Sequence, residues 1–214
     1  MELKGKKLNA LGDSITEGVG VTSQDKLYFN IVKDKEALSL TRNYGRSGSR
    51  IACEAHEPGT SLVERYTIMD DDADIIVVFG GTNDYGFGTG MIGTMEDRYP
   101  DTFYGACHTL YKGLIEKYPL ATIVIMTPVK RSWGVNPELI HPSRVNATLK
   151  DFRNVIKEVA EYYALPVLDL YALSGIDPNI EINKVNYCPD GLHPNDAGAQ
   201  VYAGQLYLAM KPYL

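Results

Sequence analysis

Apolar residues along the chain fall into short unbroken runs, separated by longer stretches in which they recur every three or four positions. The runs IIVVF (75–79) and TIVIM (122–126) are the purest. Unbroken apolar runs suit parallel strands covered on both faces, where no side chain has to meet water. Strands are predicted over Lys7 to Gly12, Leu40 to Tyr44, Asp74 to Gly80, Thr122 to Thr127 and Pro166 to Leu170. Helical spacing predicts helices near Tyr28 to Ala37, Ser61 to Met69, Thr102 to Lys117, Ser143 to Tyr163 and Pro194 to Met210. The fourth is the clearest: Val145, Leu149, Phe152, Ile156, Val159 and Tyr163 form one stripe, with Ser143 placed to cap it. Pro194 suits the first turn of the last helix.

Strands alternating with helices imply an α/β class, and right-handed crossovers leave few arrangements open. The expected architecture is a three-layer α/β/α sandwich around a flavodoxin-like five-stranded parallel sheet of order 2-1-3-4-5. The chain shows no internal repeat, low-complexity tract or interdomain linker, so one domain is expected over residues 1–214. Two connections are too long for tight turns, Tyr85 to Asp101 and Val129 to Pro142, and long loops at one sheet edge commonly serve a binding site.

Composition narrows the classes. With 21 Lys plus Arg against 27 Asp plus Glu, the net charge of −6 argues against sequence-independent nucleic-acid binding, which needs clustered cations. Cys53, Cys107 and Cys188 show no CxxC spacing and cannot close a disulfide framework, so free thiols and a reducing, cytoplasmic setting are expected. No stretch has the roughly 18 consecutive apolar residues of a membrane span, and the N-terminus has no apolar run of signal-peptide length.

Candidate chemistry starts at Ser14 in LGDSITEG, directly after the first strand, at the carboxyl edge where open α/β sheets hold their ligands. Taken alone, Ser14 serves equally well as a helix N-cap. CPDGLHP places Asp190 three residues before His193, a spacing that lets a carboxylate hold one imidazole nitrogen while the other faces a hydroxyl. A serine hydroxyl needs such a base to become a nucleophile; alone, the same segment reads as a turn before the last helix. NYGRSG puts Gly45 at the end of the second strand, and GGTND puts Asn83 at the end of the third. A backbone N–H and an amide side chain suit a developing oxyanion, although singly each is ordinary turn chemistry. The 2-1-3-4-5 order brings them together, since strands two and three flank strand one.

GDSIT, NYGRSG, GTND and DGLHP, in this order across nearly the whole chain, resemble the signature blocks of the SGNH (GDSL-type) hydrolases. That resemblance implies metal-independent serine esterase chemistry with no cofactor. Carried over, Ser14 is the nucleophile, His193 the base and then the acid, and Asp190 its orienting partner. The N–H groups of Ser14 and Gly45 and the Asn83 amide form the oxyanion hole. Ile15 stands where the family name has Leu, a change that keeps an apolar neighbour beside the nucleophile.

Asp13 and Asp84 are expected to bond their own loops, and the acidic run Asp70, Asp71, Asp72 and Asp74 to form a solvated turn. His56, His108 and His141 fit no metal-ligand pattern. Arg46, Tyr85, Phe87, Met91, Trp133 and His141 are the candidates for a substrate pocket. The expected partner is a small ester, an acylated sugar or a lipid. The alternatives are a lysophospholipase, thioesterase or acyltransferase of the same family and, from another class, a non-catalytic carbohydrate-binding module.

Overall fold

In the computed structural model of the chain, residues 3–53, 58–87, 91–132 and 147–211 are described. The elements follow as β1 (Lys7–Gly12), α1 (Ser14–Glu17), α2 (Tyr28–Glu36), β2 (Leu40–Gly45), α3 (Leu62–Arg65), β3 (Ile75–Phe79), α4 (Thr82–Phe87), α5 (Phe103–Lys117), β4 (Thr122–Met126), α6 (Leu149–Tyr162), β5 (Val167–Leu168), α7 (Leu170–Leu173), α8 (Glu181–Tyr187) and α9 (Asp196–Met210). All strand pairs are parallel, in the order β2-β1-β3-β4-β5. This is the expected sheet.

Strand alternation explains the three layers. In β3 the side chains of Ile75, Val77 and Phe79 pack with α2 and α9, while Ile76 and Val78 pack with α3, α5 and α6. All five are buried, each stabilising the fold by roughly 1.5–3 kcal/mol, which is why this strand shows no polar position.

Helix starts differ from expectation where side-chain caps decide them. α6 begins at Leu149, where Thr148 and Asp151 form a capping box: the Thr148 hydroxyl accepts the Asp151 N–H, and the Asp151 carboxylate accepts the Thr148 N–H at 2.7 Å; the predicted stretch from Ser143 to Asn146 lies outside the described residues. Asn195, not Pro194, opens α9, its side chain accepting the Gly198 N–H at 3.0 Å. The segment predicted as one helix from Ser61 is α3 followed by a 3-10 turn at Tyr66–Ile68. The acidic run is more than a solvated turn. Asp74 takes the Lys7 N–H at 2.8 Å and pairs with Lys6 at 2.9 Å, and Asp72 pairs with Lys7 and Arg42. Its carboxylates therefore fasten the amino ends of β1, β2 and β3 together.

Candidate active site

The register of the central strands decides what meets at the carboxyl edge. Gly12 at the end of β1 lies beside Gly45 of β2 on one side and Phe79 of β3 on the other. Whatever follows β1 is therefore flanked by the loops after β2 and β3.

Ser14 is the first residue of α1 and is 6% exposed. The cap is Asp13, whose Oδ1 accepts the Ile15 N–H at 3.0 Å. This frees the serine hydroxyl from capping. The Ser14 N–H, in the first turn, has no intrahelical acceptor.

His193 comes from the other end of the chain, and the loop after α1 locates it. Thr22 donates from its N–H and hydroxyl to Asp196 at 2.9 and 2.7 Å. Gly20 packs so closely on this segment that a Cβ would stand 2.5 Å from the Pro194 carbonyl oxygen. As a result His193 Nε2 lies 2.8 Å from Ser14 Oγ, and His193 Nδ1 lies 2.6 Å from Asp190 Oδ2. Asp190 Oδ1 also accepts the N–H groups of Leu192 and His193, at 2.8 and 2.7 Å. Burial pushes the Asp190 carboxyl up, but the imidazole and those two N–H groups outweigh it and bring it down to about 2. An ionised carboxylate on Nδ1 keeps the proton there and leaves Nε2 as acceptor for the serine hydroxyl.

The loop after β2 is clamped to the same place from three sides. Asn83, in the first turn of α4, donates its side-chain amide to the Ser49 carbonyl at 2.9 Å, and its second amide hydrogen has no partner among the described residues. Its neighbour Asp84 accepts the N–H groups of Ile51 and Ala52, each at 2.9 Å. Arg65, outside all four motifs, donates to the carbonyls of Gly12 and Tyr44 and to the Ser49 hydroxyl, joining the ends of β1 and β2 to this loop. Asp13 and Asp84 are both fully buried, and burial pushes them up to about 7 and about 6.

Gly45 requires a correction. Its N–H donates to Asn43 Oδ1 at 2.8 Å, so it is not free to serve an oxyanion. Glycine is needed there for packing, because a Cβ would fall 2.1 Å from the Glu17 backbone nitrogen in α1. Three residues on, Gly48 is exposed and its N–H has no partner among the described residues. It lies one residue before the carbonyl held by Asn83.

A sequence profile confirms what the four motifs suggest: that of the GDSL-like lipase/acylhydrolase family matches residues 10–201. The chain belongs to the GDSL-like lipase/acylhydrolase family. It is 24% identical over 223 residues to an acetylxylan esterase of Xylanibacter ruminicola, an alignment that takes in 96% of this chain and 43% of that protein. The chain thus spans less than half the length of this relative. A solved protein of Lactobacillus plantarum is 28% identical with a TM-score of 0.88, covering 99% of both chains. The lipase/acylhydrolase of Enterococcus faecalis shares the fold at 21% identity and a TM-score of 0.67, covering 98% of this chain and 97% of that one.

The four described pocket candidates of this acylhydrolase-family chain, Arg46, Tyr85, Phe87 and Met91, have separate surroundings. Tyr85 sits in α4 two residues after Asn83, its ring packed on Phe152 and facing the Arg131 guanidinium. Phe87 lies under the Arg50 guanidinium. Arg46 is exposed and donates to the Gly59 carbonyl, and Met91 is 74% exposed beside Thr102. Trp133, His141 and His56 lie outside the described residues. His108 is a core residue, buried with Nδ1 3.1 Å from the Tyr163 hydroxyl. Among the described residues no cluster of three or more His, Cys, Asp or Glu side chains can hold a metal, and no helix is long and apolar enough to cross a membrane.

Proposed function

We propose that this chain is a serine esterase, a single catalytic domain over residues 1–214, which hydrolyses small or carbohydrate-linked carboxylic esters through an acyl-enzyme on Ser14. The observation that carries this reading is the continuous relay Ser14–His193–Asp190, with links of 2.8 and 2.6 Å. A binding module has no need of an ionised carboxylate, an oriented imidazole and a serine freed from capping, all in line.

Ser14 Oγ attacks the ester carbonyl as His193 Nε2 takes its proton. The tetrahedral oxyanion is met by the Ser14 N–H, the second Asn83 amide hydrogen and, in place of Gly45, the Gly48 N–H. Collapse expels the alcohol, which leaves with the proton from His193. Water then attacks the acyl-enzyme by the reverse assignment and releases the acid. The acetylxylan esterase relative supports a small acyl group on a carbohydrate. The three free cysteines suit a reducing, cytoplasmic compartment.

The test is hydrolysis of p-nitrophenyl esters of increasing acyl length, with Ser14→Ala in parallel. The expected outcome is fastest turnover of the acetyl ester and a loss of at least about 1,000-fold in the variant. Equal activity of wild type and Ser14→Ala would remove the acyl-enzyme, and a steady rise with chain length would move the reading to a lipid substrate.

A further inference from the structure

We propose that Arg65 is a positioning residue for the oxyanion hole: its guanidinium fixes the loop that carries Gly48 and Ser49 against the strand end that leads to Ser14. This inference rests on the esterase reading above and adds to it a side chain that acts through others, not on the reacting atoms.

Three acceptors from three segments meet on this one half-buried side chain. Nη1 donates to the Gly12 carbonyl at 3.2 Å and to the Ser49 hydroxyl at 2.8 Å, and Nη2 donates to the Tyr44 carbonyl. Gly12 lies two residues before the nucleophile, Tyr44 is the last residue but one of β2, and Ser49 directly follows Gly48. The Ser49 hydroxyl gives its own proton to the Thr60 carbonyl at 2.8 Å, so it meets Arg65 as an acceptor. Ser49 is buried, and its carbonyl takes the Asn83 amide at 2.9 Å. Through Ser49, Arg65 therefore holds both the residue on which Asn83 rests and the chain position next to Gly48.

The root of the side chain is as fixed as its tip. The Ser61–Glu64 capping box sets the start of α3, and buried Leu62 donates its N–H to the Arg50 carbonyl at 2.8 Å. A rigid planar fork serves acceptors in several directions at once, which a lysine ammonium on a flexible stem does not. Glu17 and Asp84 hold the loop on either side, at the Ser47 N–H and at those of Ile51 and Ala52. Arg65 grips the residue between them and ties it to β1. Such precision matters because oxyanion donors must stand about 2.7–3.1 Å from the charge they meet, and a misplacement of about 1 Å can cost on the order of 100-fold in rate.

The test is steady-state kinetics on p-nitrophenyl acetate for wild type, Arg65→Met, Arg65→Lys, Asn83→Ala and the Arg65→Met/Asn83→Ala double variant. Arg65→Met should lower kcat by about 10- to 100-fold and leave KM within about 3-fold, and Arg65→Lys, which keeps the charge and loses the fork, should recover little of it. In the Asn83→Ala background the same change should cost less, by a factor of at least about 3, because part of what Arg65 positions is already gone. Partial unfolding acts in the opposite sense, since two destabilising changes together cost more than the product of each alone. An equal or larger factor in the double variant would therefore make Arg65 a structural tie and overturn the proposal. So would an unchanged kcat in Arg65→Met, a loss confined to KM, or recovery of most of kcat by Arg65→Lys. If wild type hydrolysed no ester, the esterase reading would fall by itself, and amide hydrogen exchange would decide the clamp. Faster exchange in Arg65→Met confined to residues 45–53 upholds it; unchanged exchange, or faster exchange throughout the chain, rejects it.

Discussion

Ser14, His193 and Asp190 are set by different local causes that converge on one line. Asp13 takes over capping, so Ser14 is free. Asp190 uses one oxygen for two backbone N–H groups and the other for the ring, which fixes both the turn and the imidazole. Asn83 gives one amide hydrogen to the Ser49 carbonyl, and the proposed mechanism assigns the other to the oxyanion. Asn83→Ala should therefore lower kcat by on the order of 100- to 1,000-fold with a small effect on KM, because an oxyanion donor acts mainly in the transition state. Steady-state kinetics on p-nitrophenyl acetate would check this; a loss confined to KM would place Asn83 in ground-state binding instead. Gly45 and Asn83 were equally legible as donors in the sequence. What separates them is that Asn43 engages the Gly45 N–H, and a side chain reaching back two residues is not visible in a motif.

At the level of elements, the strands were the most legible part, because full burial on two faces leaves an unbroken apolar signature. The short helices α1, α4, α7 and α8 left no such signature, since four to seven residues carry too little periodicity. The start of α6 was readable in principle from the Thr148–Asp151 spacing, which is a capping box. Contact between elements makes its own prediction. The end of β2 lies so close to α1 that Gly45→Ala must push them apart, at a cost of about 1–3 kcal/mol, seen as a lower urea midpoint. Wild-type stability in that variant would mean the two elements separate without strain.

For the whole molecule, the notable feature is two buried carboxylates under the site. Asp13 is raised by burial to about 7 from an ordinary value of about 4. Between those values the native state keeps a proton that the unfolded chain releases, so this group's contribution to stability falls as pH rises from about 4 to about 7. Asn at this position keeps an acceptor for the Ile15 N–H but cannot ionise. Relative to wild type, Asp13→Asn should thus gain stability across that window, by up to a few kcal/mol, and hold a constant difference above it. Urea unfolding of both proteins at several pH values from 4 to 8 would measure it. A difference independent of pH would show that Asp13 does not titrate in that window.

The class of fold, the sheet order and the segments carrying Ser14, Asn83, Asp190 and His193 followed from the sequence alone, because they depend on hydrophobic period, chain connectivity and local spacing. Tertiary structure alone decided which backbone donors stay open, since Gly45 and Gly48 differ only in what surrounds them. It also decided that Arg65, in an unremarkable helix, joins the ends of β1 and β2 to the loop after β2. Arg131 and Arg153 look alike as isolated charges in the sequence. Only the packing around them shows that Arg153 grips Asp169 while Arg131 is tied to Thr82, because pairing is a property of neighbours brought together by the fold.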